Sequence, residues 1–133
     1  MSVYYDVKIV MPRNSWTELV ELINKADLEQ WDKDMFNRGR TEIVYANNIS
    51  EFVLASWDYV KWDVDTNEMA NRVEKYMRAL RLENVPCRYI CLSEFGTIDE
   101  IKCVGKDNTF IPFIESCMFI KQEIGVADYI YNK

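Results

Sequence analysis

Carboxylates are the most concentrated reactive groups in this chain. Glu18, Glu21, Asp27, Glu29, Asp32 and Asp34 crowd one stretch, opposed there only by Lys25 and Lys33. A second set, Asp58, Asp63 and Asp65, flanks Trp57, Tyr59 and Trp62. Such groups can do acid–base chemistry, which needs two carboxyls held at a defined separation, or they can steer a basic partner onto aromatic anchors. For the first use the candidates are Glu94, Asp99 and Glu100 around one hairpin, and their spacing is equally that of turn residues. The second use asks only for surface charge beside rings, and both sets supply it. Partner-binding residues are therefore expected at Asp27, Glu29, Asp32, Asp34, Trp57, Asp58, Tyr59, Trp62, Asp63 and Asp65. The competing reading gives the tryptophans to core or rim packing and leaves the acids to keep a small protein soluble.

Other chemistry is removed by what the chain lacks. It contains no histidine, so Ser-His-Asp and Cys-His dyads, two-histidine metal sites and histidine pH switches are excluded. Gly39, Gly96, Gly105 and Gly125 stand singly, which leaves neither a phosphate-cradling loop nor a dinucleotide fingerprint. Four cysteines, Cys87, Cys91, Cys103 and Cys117, could be read as a zinc site or two disulfides. Cys87 and Cys91, however, lie in a segment that alternates like a strand, where a rise of ~3.3 Å per residue separates them by roughly 13 Å. Two sulfurs on one zinc sit within about 4 Å of each other. Reduced cysteines acting as small core residues fit better. No metal, cofactor or catalytic residue is expected.

Charge also bears on the class of partner. The 22 acidic residues outnumber the 16 basic ones for a formal net charge of −6, which opposes a polyanion at long range. Arg72, Lys75, Arg78 and Arg81 recur every third residue, but three residues advance a helix by about 300°, so this row spreads around a solvated face. The basic-Gly-aromatic strand motif of an RNA-recognition sheet is missing. Direct nucleic-acid binding is not expected. The N-terminus has no basic region ahead of an apolar core, and no window approaches the ~18 uninterrupted apolar residues of a membrane span. A cytoplasmic protein with no membrane segment is the expectation.

The elements that must position these groups can be read from periodicity. With 133 residues, 49% of them hydrophobic, one folded domain over 1–133 is expected. Val3, Tyr5, Val7, Ile9 and Met11 alternate as a strand with one buried face. Ser15-Trp-Thr-Glu18 has the spacing of a capping box, and Trp16, Leu19, Val20 and Ile23 recur as on a helix. The pattern falters near Asp27-Leu28; Trp31 and Met35 then suggest a turn-rich piece ending by Gly39. Thr41–Ala46 and Phe52–Trp57 read as a hairpin. Asp65-Thr-Asn-Glu68 repeats the capping signature before a helix carrying Met69, Val73, Tyr76, Met77 and Leu80 on one stripe. Strands over Arg88–Glu94 and Asp99–Val104 flank a turn at Phe95-Gly96-Thr97, and the apolar segment Phe110–Ile124 is expected to hold one more strand, with Pro112 demoting its start to an edge or a bulge. The order βαββαβββ predicts an α+β domain, a mainly antiparallel sheet with two helices on one face, whose first six elements match a ferredoxin-like split βαβ.

Two segments carry a resemblance: Ser56-Trp-Asp-Tyr-Val-Lys-Trp62-Asp, and Tyr89-Ile-Cys-Leu-Ser-Glu94-Phe-Gly-Thr-Ile-Asp99-Glu-Ile. Together they resemble small uncharacterised proteins carried by phages and mobile elements of low-GC Gram-positive bacteria, in which a Trp-rich strand end, a helix and an acidic hairpin recur. Asp99-Glu100-Ile101 departs from the acidic-Ile-acidic order of those hairpins. The resemblance implies no catalytic residues. It implies a mobile-element accessory protein, a class that acts by binding host or defence proteins.

The leading expectation is therefore a non-enzymatic protein-binding domain whose acidic, aromatic-bearing surface occupies a basic site on a protein partner such as a host nuclease or DNA-binding defence protein. A second reading is a small-ligand or nucleotide-binding domain, with arginines such as Arg72 or Arg88 on the phosphates. A third is a self-associating module, a homodimer sealed through the Phe110–Ile124 segment.

Overall fold

A computed structural model of the chain describes residues 3–46 and 50–105. Its elements are β1 (Tyr5–Pro12), α1 (Arg13–Lys25), α2 (Gln30–Asn37), β2 (Arg40–Ala46), β3 (Ser50–Val60), α3 (Glu68–Leu82), β4 (Cys87–Ser93) and β5 (Ile98–Cys103). The strands form one antiparallel sheet in the order β2-β3-β1-β4-β5. Its first four positions are those of a split βαβ, ferredoxin-like core, and β5 is added to the β4 edge through a tight hairpin. The fold is α+β, as expected. Three helices are present among the described residues rather than two, because the piece around Trp31 and Met35 closes a helix of its own. The strand expected within Phe110–Ile124 lies outside the described residues.

One face of the sheet makes the main core with the helices. Val7, Ile9 and Met11 of β1 stand beside Ala55 and Trp57 of β3 and Tyr89 and Cys91 of β4, and receive Leu19 and Ile23 of α1, Phe36 of α2, and Met69, Val73, Met77 and Leu80 of α3. The opposite face is apolar at its centre too: Val10, Phe52, Leu54, Ile90 and Leu92 are all buried. The single buried face expected for β1 is thus corrected. Lys8, on that second face, is also buried, because Asp58 of the neighbouring strand lies 3.7 Å from its ammonium. A strand buried on both sides reads as a continuous apolar run, and Phe52-Val-Leu-Ala55 does.

Helix starts differ from the expected caps. Pro12 fixes φ at −56° and α1 begins directly after it, so Ser15 sits inside the first turn and makes no cap. A proline at the boundary is already preorganised for helix and has no N–H to satisfy. At α3 the cap is Asn67, whose side-chain oxygen accepts from the Ala70 amide at 3.0 Å, and not Asp65. No helix among the described residues is long and apolar enough to cross a membrane.

Candidate functional site

The site is built where the chain turns between β3 and α3 and between α1 and α2. Past Trp57 the register of β1 against β3 slips: Val7 faces Trp57, whereas Tyr5 faces Val60. This β-bulge places Tyr59 in the left-handed region, φ 53°, with its amide donating to Asp6 Oδ1 at 2.7 Å. A bulge adds one residue to one strand and so inverts the facing of the residues after it. Trp57 and Trp62, five apart, consequently reach the same side and pack ring to ring with centroids 5.1 Å apart.

Both indoles are structural. Trp57 is buried, donates its Nε1–H to the Phe36 carbonyl at 3.0 Å and contacts the rings of Trp16 and Phe36. Gly39 is required beside it, since a Cβ there would lie 2.5 Å from the indole. Trp62 is fully enclosed and donates to the Tyr89 hydroxyl at 3.0 Å. Their polar ends are satisfied inside the protein, the usual condition for burying an indole. The expectation that Trp57 and Trp62 anchor a partner at the surface is corrected: neither reaches the surface.

The carboxylates behave differently. Asp27, Glu29, Asp32 and Asp63, expected from two separate stretches of sequence, line a single open groove of about 930 Å³. Glu68 joins them, with Lys61 as the one cation among the described lining residues and Val3, Leu28 and Trp31 as their apolar part. Among the described residues Asp27, Glu29, Asp32 and Asp63 form no ion pair. The walls are tied together: Asn67, while capping α3 through its oxygen, donates its amide N–H to Asp32 Oδ1 at 3.3 Å across to α2. Asp32 is the inward residue of α2 beside Phe36, and this turns its neighbour Trp31 outward, 59% exposed. Asp63 holds the turn below, accepting from the Asp65 amide at 3.0 Å through its side chain and from the Asn67 amide at 2.7 Å through its carbonyl. The groove therefore opens at the starts of α2 and α3, whose exposed N–H groups carry partial positive charge and let acids gather there.

The other expected residues lie elsewhere. Asp34 is exposed on α2, accepting from Gln30 at 3.0 Å. Asp65 is exposed but is no part of the groove lining. Asp58 points to the second sheet face, where it meets Lys8 and pairs with Arg40. Tyr59 is exposed and stacks flat on Tyr4, centroids 4.4 Å apart. Trp31, Lys61, Thr66, Asn67 and Glu68 were not expected in the site. The signals for them are faint: Trp31 falls on the apparent apolar stripe with Met35, whereas the inward residues of α2 are Phe36, in the core, and Asp32, bonded to Asn67.

The residues expected for acid–base or nucleotide chemistry lie apart from one another. Asp99 stands opposite Cys91 on the helix-facing side, Glu100 opposite Ile90 on the other side, where it pairs with Arg88 at 2.7 Å, and Glu94 accepts from the Tyr4 amide at 3.1 Å. These three do not converge. Arg72 is paired with Glu68 on α3, and Arg88 with Glu100 on the sheet face opposite the helices. Half of the basic row on α3 is neutralised within the helix, by Arg72–Glu68 and Arg78–Glu74. Among the described residues no three Cys, Asp or Glu side chains gather as metal ligands. No protein-family model, curated protein or solved structure matches the chain.

Proposed function

We propose that the protein is a non-enzymatic binding protein whose groove at the α2 and α3 N-termini takes up a basic segment of a protein partner. The supporting observation is that, among the described residues, four carboxylates without ion pairs share one tied concavity with an exposed indole and Lys61 as the one cation. Unpaired acids on one side of a molecule steer a cationic partner and raise its association rate. An exposed tryptophan beside them supplies the contact area typical of an interface anchor, whose loss costs about 2 kcal/mol or more. Proteins that bind nucleic acid neutralise its phosphates with clustered Lys and Arg, the kind of surface an acidic groove complements, so the proposed partner class is a host nuclease or other DNA-binding protein. The resemblance to accessory proteins of phages and mobile elements supports the same reading, with the groove occupying a site that nucleic acid would otherwise fill.

The test is a paired pull-down from a low-GC Gram-positive lysate with the wild-type protein and with a variant carrying Asp27→Lys and Glu29→Lys. Both residues are exposed and neither makes a hydrogen bond through its side chain among the described residues, so the fold should survive the change. A DNA-binding protein retained by the wild type and released by the variant supports the reading. Equal retention by both contradicts it.

A further inference from the structure

Two thiols at the open end of the β4–β5 hairpin are arranged for a reaction with each other. Cys87 and Cys103 are direct partners in the antiparallel register and both face the helix side of the sheet. Directly opposed residues of an antiparallel pair have Cα atoms about 4.5–5.5 Å apart, inside the window of roughly 4.4–6.8 Å that a disulfide spans. Both are free and buried. Cys91, the third cysteine among the described residues, is four positions along the same strand opposite Asp99, and so has no thiol across from it.

The surroundings distinguish the two members. Cys87 is fully enclosed, and burial pushes its thiol up to about 12, with the neighbouring Cys103 adding to the rise. Cys103 keeps a residual 9% exposure, at the end of the outermost strand among the described residues. Its S–H donates to Asn84 Oδ1 at 3.5 Å, from a residue that follows α3 in the left-handed conformation, φ 62°. The contact fixes where the sulfur points. Just beyond, Gly105 at φ 86° passes so close to Pro86 that a Cβ would meet the ring at 2.9 Å, which holds the two strand ends together.

We infer that Cys87 and Cys103 form a reversible oxidation site, a cross-strand disulfide made when the protein meets a peroxide. Cys103, the accessible member, attacks one peroxide oxygen as thiolate. Its sulfur becomes a sulfenic acid, and the O–O bond breaks to release water once the second oxygen takes a proton. The Cys87 sulfur, having lost its proton to solvent, then displaces hydroxide from the Cys103 sulfur, which leaves as a second water. Two thiols and one hydrogen peroxide give one disulfide and two waters. The raised value at Cys87 makes this resolving step slow near neutrality and faster with rising pH, since only the thiolate reacts.

The experiment treats the folded full-length protein with hydrogen peroxide, blocks remaining thiols with an alkylating reagent and maps disulfide-linked peptides by mass spectrometry. Expected is the loss of two thiols, a peptide pair joining Cys87 to Cys103, and its disappearance with dithiothreitol. The same treatment in urea should lose the preference for this pair, and Cys91→Ser should leave the folded-state link unchanged. The inference is overturned by a folded protein that keeps all its thiols, by a link through another cysteine in place of Cys87–Cys103, or by over-oxidation of Cys103 with Cys87 still free.

Discussion

The molecule carries two sets of carboxylates whose settings are opposite. On the second face of the sheet Asp58 lies between Lys8 and Arg40, and Glu100 is paired with Arg88. At the starts of α2 and α3, Asp27, Glu29, Asp32 and Asp63 line one groove, where among the described residues only Lys61 opposes them. In the first set Asp58 is paired because a lysine is buried beside it: an ammonium removed from water is tolerated only beside a partner charge. The second is unbalanced, and Asp32 and Asp63 within it are held by Asn67 and by backbone amides. Paired acids have their charge compensated within the fold, whereas those of the groove keep theirs uncompensated among the described residues. The aromatics divide in the same way, with Trp57 and Trp62 enclosed and Trp31 outside.

Truncating one tryptophan from each side should give the largest contrast. Trp62→Ala should cost about 3–5 kcal/mol in urea unfolding, from the cavity and from the Tyr89 hydroxyl left without its donor. Trp31→Ala should stay within about 0.5 kcal/mol, as an exposed substitution that breaks no packing. Similar losses for both would erase the distinction. A smaller contrast is expected for the acids themselves. Asp58→Ala should destabilise by roughly 1–3 kcal/mol by stranding the Lys8 ammonium, less than a fully buried pair because Asp58 is itself half-exposed. Asp27→Ala should be neutral or slightly stabilising in the same urea titration, since it removes repulsion in the groove.

The smallest effect is in the pH dependence of the balanced side. Burial holds the Asp6 carboxyl above the usual carboxylate range, although the Tyr59 amide and the Lys8 and Arg40 charges pull it back. The folded protein thus binds this proton more tightly than the unfolded chain. Its contribution is fully present below the unfolded value and is lost as pH rises through the folded one. The urea midpoint should carry a small downward component across that interval, and Asp6→Asn should remove it. A profile unchanged by Asp6→Asn would mean that this carboxyl titrates alike in the folded and unfolded chain.

Legibility in the sequence varies from residue to residue. Alternation in β1, the hairpin around Gly96 and the α3 stripe are plain because each rests on a local period, and the fold class comes from them. Lys8 is unreadable as a buried residue because its partner, Asp58, is 50 positions away in the chain. The two tryptophans are misplaced for a related reason. Beside acids on a strand end they look like a surface cluster, but alternation sends Asp58 and Trp57 to opposite faces, and the bulge at Tyr59, invisible to any period, brings Trp62 back to the core. The acids near Asp27 are legible because they lie in a connection and a helix start, where neighbours in sequence remain neighbours in space. What no local pattern contains is the union of that stretch with Asp63, which depends on the Asn67–Asp32 bond.

Whether the groove and Trp31 bind basic protein surface is decided by calorimetric titration of an arginine-rich peptide into the wild type, into the Asp27→Lys, Glu29→Lys variant and into Trp31→Ala. Saturable one-to-one binding is expected for the wild type, weakened about tenfold or more in each variant, in line with about 1.4 kcal/mol or more lost. Equal affinity in all three proteins would contradict a binding role for the groove.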